Sequence, residues 1–357
     1  MTKRQIRCLA CISVVMVTGL GAAAPSTGPD SHTVHPGESI QAAVDAAQPG
    51  DTILLHPGTY RESVLVTKAN LTLRGYGRST VIMPGPAATA AAPAKNVCAQ
   101  NGNGICVMGT DAKTVDGVTI RSLALSGFKK NAIWASGTDR LTVRQVVAEK
   151  NGTWGMAQQK STRGVFRDNV ARNNGDAGIF IANTVDEEGG ATDTMGAVVA
   201  DNMLTGNRIG VTARRVRNLT IRGNVMTENC AGVFVVGDES KPAAGAMTVR
   251  GNMVYKNNKF CAATPRLPAV QGSGIVLTGS EATVVRANLI LDNVGSSPLS
   301  GGIVLFKSFV GAQNTANVVQ HNQALGNKPA DLLDGGGGTG NTFLGNVCQA
   351  SNPAGMC

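Results

Sequence analysis

Two acidic pairs, Asp186-Glu187 and Asp238-Glu239, and five cations, Lys160, Arg214, Arg215, Lys241 and Lys307, follow closely after copies of one recurring short apolar segment. Elimination or epimerisation at a uronic acid needs the sugar carboxylate neutralised and a base within reach of the neighbouring C–H. Arg214 or Arg215 suits the first task. Lys160, Lys241 or Lys307 suits the second if desolvation lowers its pKa. Hydrolysis would instead need two carboxylates across a groove, Asp186 or Glu187 facing Asp238 or Glu239. Ordinary solvated loop charges would give the same letters.

The segment that must position these groups is a strand written Gly, apolar, any, apolar, as at residues 178–181, 210–213, 232–235, 274–277 and 302–305. A second strand ends in a basic residue and Asn, as at 219–224 and 247–252, and a third apolar segment ends at another Asn, as at 224–229. Alternation has period two, and the shortest spacings, Arg144 to Arg167 and Asn202 to Asn224, are 23 and 22 residues. Such a unit is one coil of three short strands, each pairing with the coil above and below. The fold class predicted is all-β, a single-stranded right-handed parallel β-helix with a short N-terminal capping helix. Asn151, Asn174, Asn207, Asn229, Asn257, Asn293 and Asn327 read as a corner ladder, since Asn can bond its counterpart one coil away.

Residues in excess of a minimal coil must leave it as loops. Segments 184–194, 237–245 and 307–313 follow the Gly-apolar strand, and 259–272 and 294–300 precede it. They predict two walls of a groove whose floor is that strand's outward face. Alternation puts Trp134, Phe180, Thr212, Phe234, Val276 and Val304 in one floor column, with Thr278 and Phe306 in the next. Rings two coils apart would suit a sugar chain, or the loops fold over them and bury them. On another face Arg144, Arg167, Arg222, Arg250 and Arg286 form a cationic stripe that an acidic polymer could follow, or that serves solubility.

The chain has 357 residues, 45 of them Gly, with 42% hydrophobic and 4% aromatic content, which excludes a disordered polymer and a multi-span membrane protein. Residues 1–24 read as an export signal: Lys3, Arg4 and Arg7, an apolar run, then Ala22-Ala23-Ala24. Its removal takes three positive charges from a formal +9 and leaves a still basic chain with no stable membrane span. Residues 25–357 then form the β-helix domain, with a cap at 33–60, regular coils at 117–347 and a closed C-terminus at 348–357. Six Cys remain, an even number suited to a secreted, oxidised protein. The pairings predicted are Cys98 with Cys106, Cys230 with Cys261 and Cys348 with Cys357. In the cap, residues 34–36 read as a strand, 38–48 as a helix and 51–55 as the next strand. An Ala- and Pro-rich excursion is expected at 84–93.

The run Pro36-Gly37-Glu38-Ser39-Ile40-Gln41-Ala42-Ala43, then Pro49-Gly50-Asp51-Thr52-Ile53 and Pro57-Gly58-Thr59-Tyr60, followed by Asn-cornered coils, resembles the pectin-lyase-like superfamily, in particular its exported NosD-like and carbohydrate-processing members. The resemblance implies an extracytoplasmic protein that binds and processes an acidic polysaccharide as a lyase or epimerase, working as a monomer. It carries over no catalytic residue, for the Asp-Pro-His-Asp motif of alginate epimerases has no counterpart. No Asp cluster equates with the calcium site of pectate lyases, so no cofactor is evident, and calcium stays open without a recognised site. Copper of the NosD kind would need ligands that His32, His35, His56 and His321 are too scattered to supply; Met203, Met226 and Met253 are expected to fill the core. Two other functions fit the same letters: a polyketide cyclase using the apolar groove for a small molecule, and a non-catalytic glycan- or protein-binding envelope module. Nucleic acid is not expected as a partner.

Overall fold

A computed structural model describes residues 28–86, 96–110, 112–265 and 267–357. The expected export signal and residues 87–93 of the Ala- and Pro-rich excursion lie outside them. The rest winds into parallel coils, each strand pairing in register with the equivalent strand of the next coil. The Gly-apolar strands build an eleven-stranded sheet from Val64–Val66 to Ser351–Asn352, here termed the groove sheet. The second and third strands build two further sheets, joined by the eight-residue strands Thr119–Ser126 and Thr142–Glu149. These strands turn the corner at Ser122 and Gln145, both left-handed (φ 54 and 55).

From residue 119 on that corner recurs coil after coil, and its chemistry explains the repeated Asn. A left-handed residue such as Asp168 or Asp201 bends the chain, and the Asn that follows points inward. Asn169 Oδ1 accepts from the Val146 N–H, and the Asn169 Nδ2 donates to Asn202 Oδ1, 3.0 Å each. This ladder continues through Asn224, Asn252, Asn288 and Asn322 to Asn346. The expected ladder, Asn151 through Asn327, forms at the next corner and ends on Asp331. The Asp331 carboxylate also accepts from Gln349 N and Ala350 N, which closes the row on the last turn of chain. Leading glycines keep adjacent coils close: a Cβ on Gly274 would lie 2.2 Å from the Gly302 carbonyl oxygen.

Regular pairing begins earlier than residue 117. Ser31–Val34 pairs with Thr52–Leu55, which pairs with Thr72–Arg74, which pairs with residues 119–121. The capping helix is Ile40–Ala46, shorter than expected because Ser39 caps it through the Ala42 N–H and Glu62 accepts from Ile40 N and Gln41 N. Ile40 and Val44 are its buried face. The three disulfides are those expected. Of the three methionines expected in the core, Met226 is there, with Met156 and Met247; Met203 and Met253 are 50% and 42% exposed. They occupy outward positions of the third sheet, in register with Val225 between them.

Candidate functional site

The floor column exists in the expected register: Trp134, Ala157, Phe180, Thr212, Phe234, Val276 and Val304 stack coil upon coil. Most of it is not a surface. Val276 and Val304 are fully buried, and Phe180, Thr212, Phe234 and Thr278 nearly so. Val270 and Leu299, from the two loops that precede the groove strand, join these side chains in a second apolar cluster outside the coil, with Leu267 packed against it. The Cys230–Cys261 bridge and Arg208, which donates to the carbonyls of Ala262 and Pro268, hold that cover down. Phe180, Thr212, Phe234, Val276, Thr278 and Val304 are therefore not the substrate-contacting platform expected of them. Burying their apolar surface outweighs leaving it wet. The same closure removes the open apolar trough on which a cyclase would depend. Phe306 is half-buried against Phe309, with ring centroids 5.5 Å apart.

The floor stays accessible at its N-terminal end. Ala157, the small member of the column, leaves room between Trp134 and Phe180, and Trp154 from the preceding turn occupies it. Trp154 stacks on Phe180 at 4.2 Å and on Trp134 at 5.8 Å, with interplanar angles of 11° and 18°. Its Nε1–H donates to Asp176 at 3.0 Å, which fixes the indole's direction. Burial pushes the Asp176 carboxyl up, opposed by that hydrogen bond and by the Arg208 charge. Beside the two tryptophans opens a cleft of about 390 Å³ lined also by Asn101, Asn103, Asn131, Lys130, Gln159 and Asp186. Asn103 and Asn131 are buried, Asn131 Nδ2 donating to Asn103 Oδ1 at 2.9 Å, so the aromatic faces together with Asn101, Gln159, Asp186 and Lys130 are what can hold a polyhydroxylated ring and orient a charged substituent.

The charged residues expected in catalysis divide among three settings. Asp186 lines the cleft. Lys160 pairs with Glu187 at 3.8 Å beside it. Arg214 donates to the carbonyls of Thr184 and Val185, 3.2 Å each. Arg215, buried, pairs with Asp238 and Glu188 and donates to the Glu187 carbonyl. Arg215 thus fastens the 184–190 loop to the 237–245 loop, and its guanidinium is committed to protein rather than to a sugar carboxylate. Asp238, Glu239 and Lys241 line a separate pocket of about 250 Å³ with Glu281 and Gln313. They do not face Asp186 or Glu187 across one cleft, so the two-carboxylate hydrolytic pairing is not assembled. Lys241 and Lys307 are exposed, without the desolvation that a lysine base requires.

Trp154, Asp176, Lys130 and the asparagines of the cleft were not singled out from sequence. Trp154 sits in a turn outside the strand alternation; the signal available was Ala157 standing where other coils carry a large residue.

The sequence profile described as Right handed beta helix region matches residues 94–254, and that described as Periplasmic copper-binding protein (NosD) matches residues 190–354. The described residues do not fit a copper centre. They contain no group of three or more His, Cys, Asp or Glu able to hold a metal, and all six described Cys are in disulfides. His35 and His56 do come together, with ring centroids 4.3 Å apart, but His32 bonds Asp51 instead. No curated protein matches the chain by sequence.

Among solved structures, the A-module of the mannuronan C-5 epimerase AlgE6 of Azotobacter vinelandii is 21% identical at a TM-score of 0.57, over 87% of this chain and 90% of that one. The DFA-IIIase of Arthrobacter chlorophenolicus A6 without its lid is 14% identical at 0.58, over 90% and 98%. The periplasmic alginate epimerase AlgG is 12% identical at 0.53, over 89% and 83%. Likeness at these identities concerns the fold, and it agrees with the coils, corners and ladders described above: the chain is a right-handed parallel β-helix.

Proposed function

We propose that the chain is an exported carbohydrate-binding and carbohydrate-processing β-helix, and that its substrate lies in the cleft over Trp134 and Trp154. The observation that carries this is the accessible Trp134–Trp154 stack bordered by Asn101, Lys130, Gln159 and Asp186. Three disulfides suit an oxidising compartment, and among the described residues no helix is long and apolar enough to cross a membrane. Epimerases and the DFA-IIIase on the same fold add support by analogy.

Of the reactions considered, elimination or epimerisation at a uronic acid suits the lining best. Lys130 would meet the sugar carboxylate and Asp186 the neighbouring C–H. A second reading, retention of a glycan without chemistry, is favoured by Asp186 being the one carboxylate among the residues that line this cleft. Incubation with a panel of uronate polymers decides between them. Ultraviolet absorbance from an unsaturated uronate, or a changed anomeric proton pattern, is expected from the wild type and not from Asp186→Asn. Binding without either product would establish the second reading, and no binding by any glycan would remove both.

A further inference from the structure

The second sheet turns a different chemistry outward. Arg74, Arg121, Arg144 and Arg167 are consecutive register partners, and after Ala200 the column resumes with Arg222, Arg250 and Arg286. This is longer than the stripe legible in the sequence, because pairing adds Arg74 and Arg121 at one end. Stacked coils lie about 4.8 Å apart, so the guanidiniums form a row of like charges at the spacing of the sheet. Only two have a carboxylate within reach among the described residues: Arg167 with Asp168 at 3.0 Å and Arg222 with Asp201 at 3.4 Å. The residues that turn the corner after Arg121, Arg144, Arg250 and Arg286 are Ser122, Gln145, Gly251 and Ala287, none of them acidic. Partial burial, and then the charges of Arg74 and Arg144, push the Arg121 guanidinium below its ordinary value. A parallel column beside the arginines carries hydroxyls at Thr72, Thr119 and Thr142, then Val165 and Val198, and hydroxyls again at Thr220 and Thr248 before Val284.

We propose that this face is a docking track for an acidic polysaccharide bearing one carboxylate or sulfate per sugar, laid along the helix axis with about one sugar per coil. A planar guanidinium fork matches a carboxylate or sulfate in geometry and charge, and the threonines offer partners to ring hydroxyls. A row of unmatched cations stacked coil on coil repels itself until a polyanion lies on it. A nucleic acid fits less well, since a B-form strand advances about 3.4 Å per phosphate and falls out of step with the coils. An anionic membrane fits less well too, because the neighbouring column mixes threonines with the partly buried Val165, Val198 and Val284 and so lacks the continuous exposed apolar row that an interfacial surface inserts. The track lies on a different sheet from the tryptophan cleft and stands without it.

The test measures binding of long-chain polygalacturonate by calorimetry at two salt concentrations. It compares the wild-type chain with the triple variant Arg74→Gln, Arg121→Gln, Arg144→Gln, the matching triple Arg→Lys variant, and Trp154→Ala. The Gln triple is expected to bind about tenfold more weakly, with a shallower salt dependence, while the Lys triple keeps most of the affinity. Should the Gln triple fail to fold by circular dichroism, Arg250→Gln with Arg286→Gln tests the other run in the same way. Trp154→Ala is expected to leave long-chain binding in place while losing short oligosaccharides, so failure of the cleft and failure of the track read differently. Unchanged affinity in the Gln variants overturns the track. Equal or tighter binding of a charge-matched oligonucleotide or of phosphatidylserine vesicles overturns the choice of partner.

Discussion

Replacement of Trp154 bears most directly on the cleft, because one ring makes two stacks and one hydrogen bond. Each stacked pair contributes about 0.5–1.5 kcal/mol beyond area burial, so the two at 5.8 and 4.2 Å represent about 1–3 kcal/mol of stability. Trp154→Ala would also open a gap over Ala157, and full-core Trp→Ala changes cost about 3–5 kcal/mol; partial exposure of Trp154 puts the expected loss at the lower end. For a ligand lying on the ring, loss of an aromatic anchor costs about 2 kcal/mol or more, about 30-fold in Kd.

Trp154→Phe separates ring from N–H. It keeps both stacks and removes the donor to Asp176, one of the two influences that hold that carboxyl down against burial. Its pKa should rise further. A carboxyl whose folded pKa exceeds its unfolded value takes up a proton more readily in the folded chain. Stability therefore falls as pH climbs from the unfolded value, about 3.9, through the raised one, and is level above both. Trp154→Phe should extend that fall to higher pH, and Asp176→Asn should abolish it. Calorimetric titration with oligosaccharides, with thermal melts across the acid and neutral range, reads all three variants. If Trp154→Ala melts earlier yet binds within about threefold of wild type, the stack is structural only and the cleft is not where the glycan sits.

Three further outcomes follow from the packing. Gln158 points into the coil, in register with Ala135 and Ile181, and neither of its amide atoms has a partner; Gln158→Leu should stabilise by about 1–3 kcal/mol in denaturant melts, and a loss would mean that the amide is satisfied by buried water. The Gln48 N–H, then His32, then the Asp30 N–H hold the Asp51 carboxyl down to about 2, so its contribution to the cap is present above the unfolded value and is lost as pH falls from about 4 toward about 2. Asp51→Asn should flatten the melting temperature over that acid range, and an unaltered pH profile would show that the cap does not depend on Asp51. Removing the Cys230–Cys261 bridge by a double Ala change should cost about 3–4 kcal/mol by chain entropy and let the 257–272 cover open, read as increased binding of an apolar dye over Phe234 and Val276; no increase would mean that apolar packing alone holds the cover.

What could be read from the letters was what repeats. A Gly at the head of a groove strand answers a close approach to the next coil, and an Asn after a left-handed corner answers orphan backbone donors, so both recur wherever the geometry recurs. Register followed from these, which is why Trp134, Phe180 and Phe234 align. What the excursions do was not legible, since a loop's path depends on contacts far apart in sequence. Arg208 reaching Ala262 and Pro268 is one such contact, and Leu299 settling over the floor is another. Outward alternation marks a side chain as leaving the coil; it does not say whether water or another segment meets it. Met203 and Met253 show the converse, apolar letters left outside because their strand positions point outward.

The cleft lies where it does because both of its ends are tied. On the N-terminal side the short helix Val97–Gln100 is bound by the Cys98–Cys106 bridge, and Cys106 is the register partner of Trp134, so Asn101 and Asn103 are carried to the edge of the stack. On the other side the 184–190 loop is held by Arg214 and Arg215, and by the Asn183 amide donating to the carbonyls of Gly189 and Gly190. Arg214 and Arg215 thus act on the cleft through the wall that carries Asp186, as positioning residues. Side chains fixed before a ligand arrives spare it the entropy of ordering them, so a small rigid cleft can select a sugar with few contacts. The wall is fastened to the coil while the middle of the floor, from Phe180 to Val304, is sealed, so on the proposed function a sugar in this groove lies over Trp134 and Trp154.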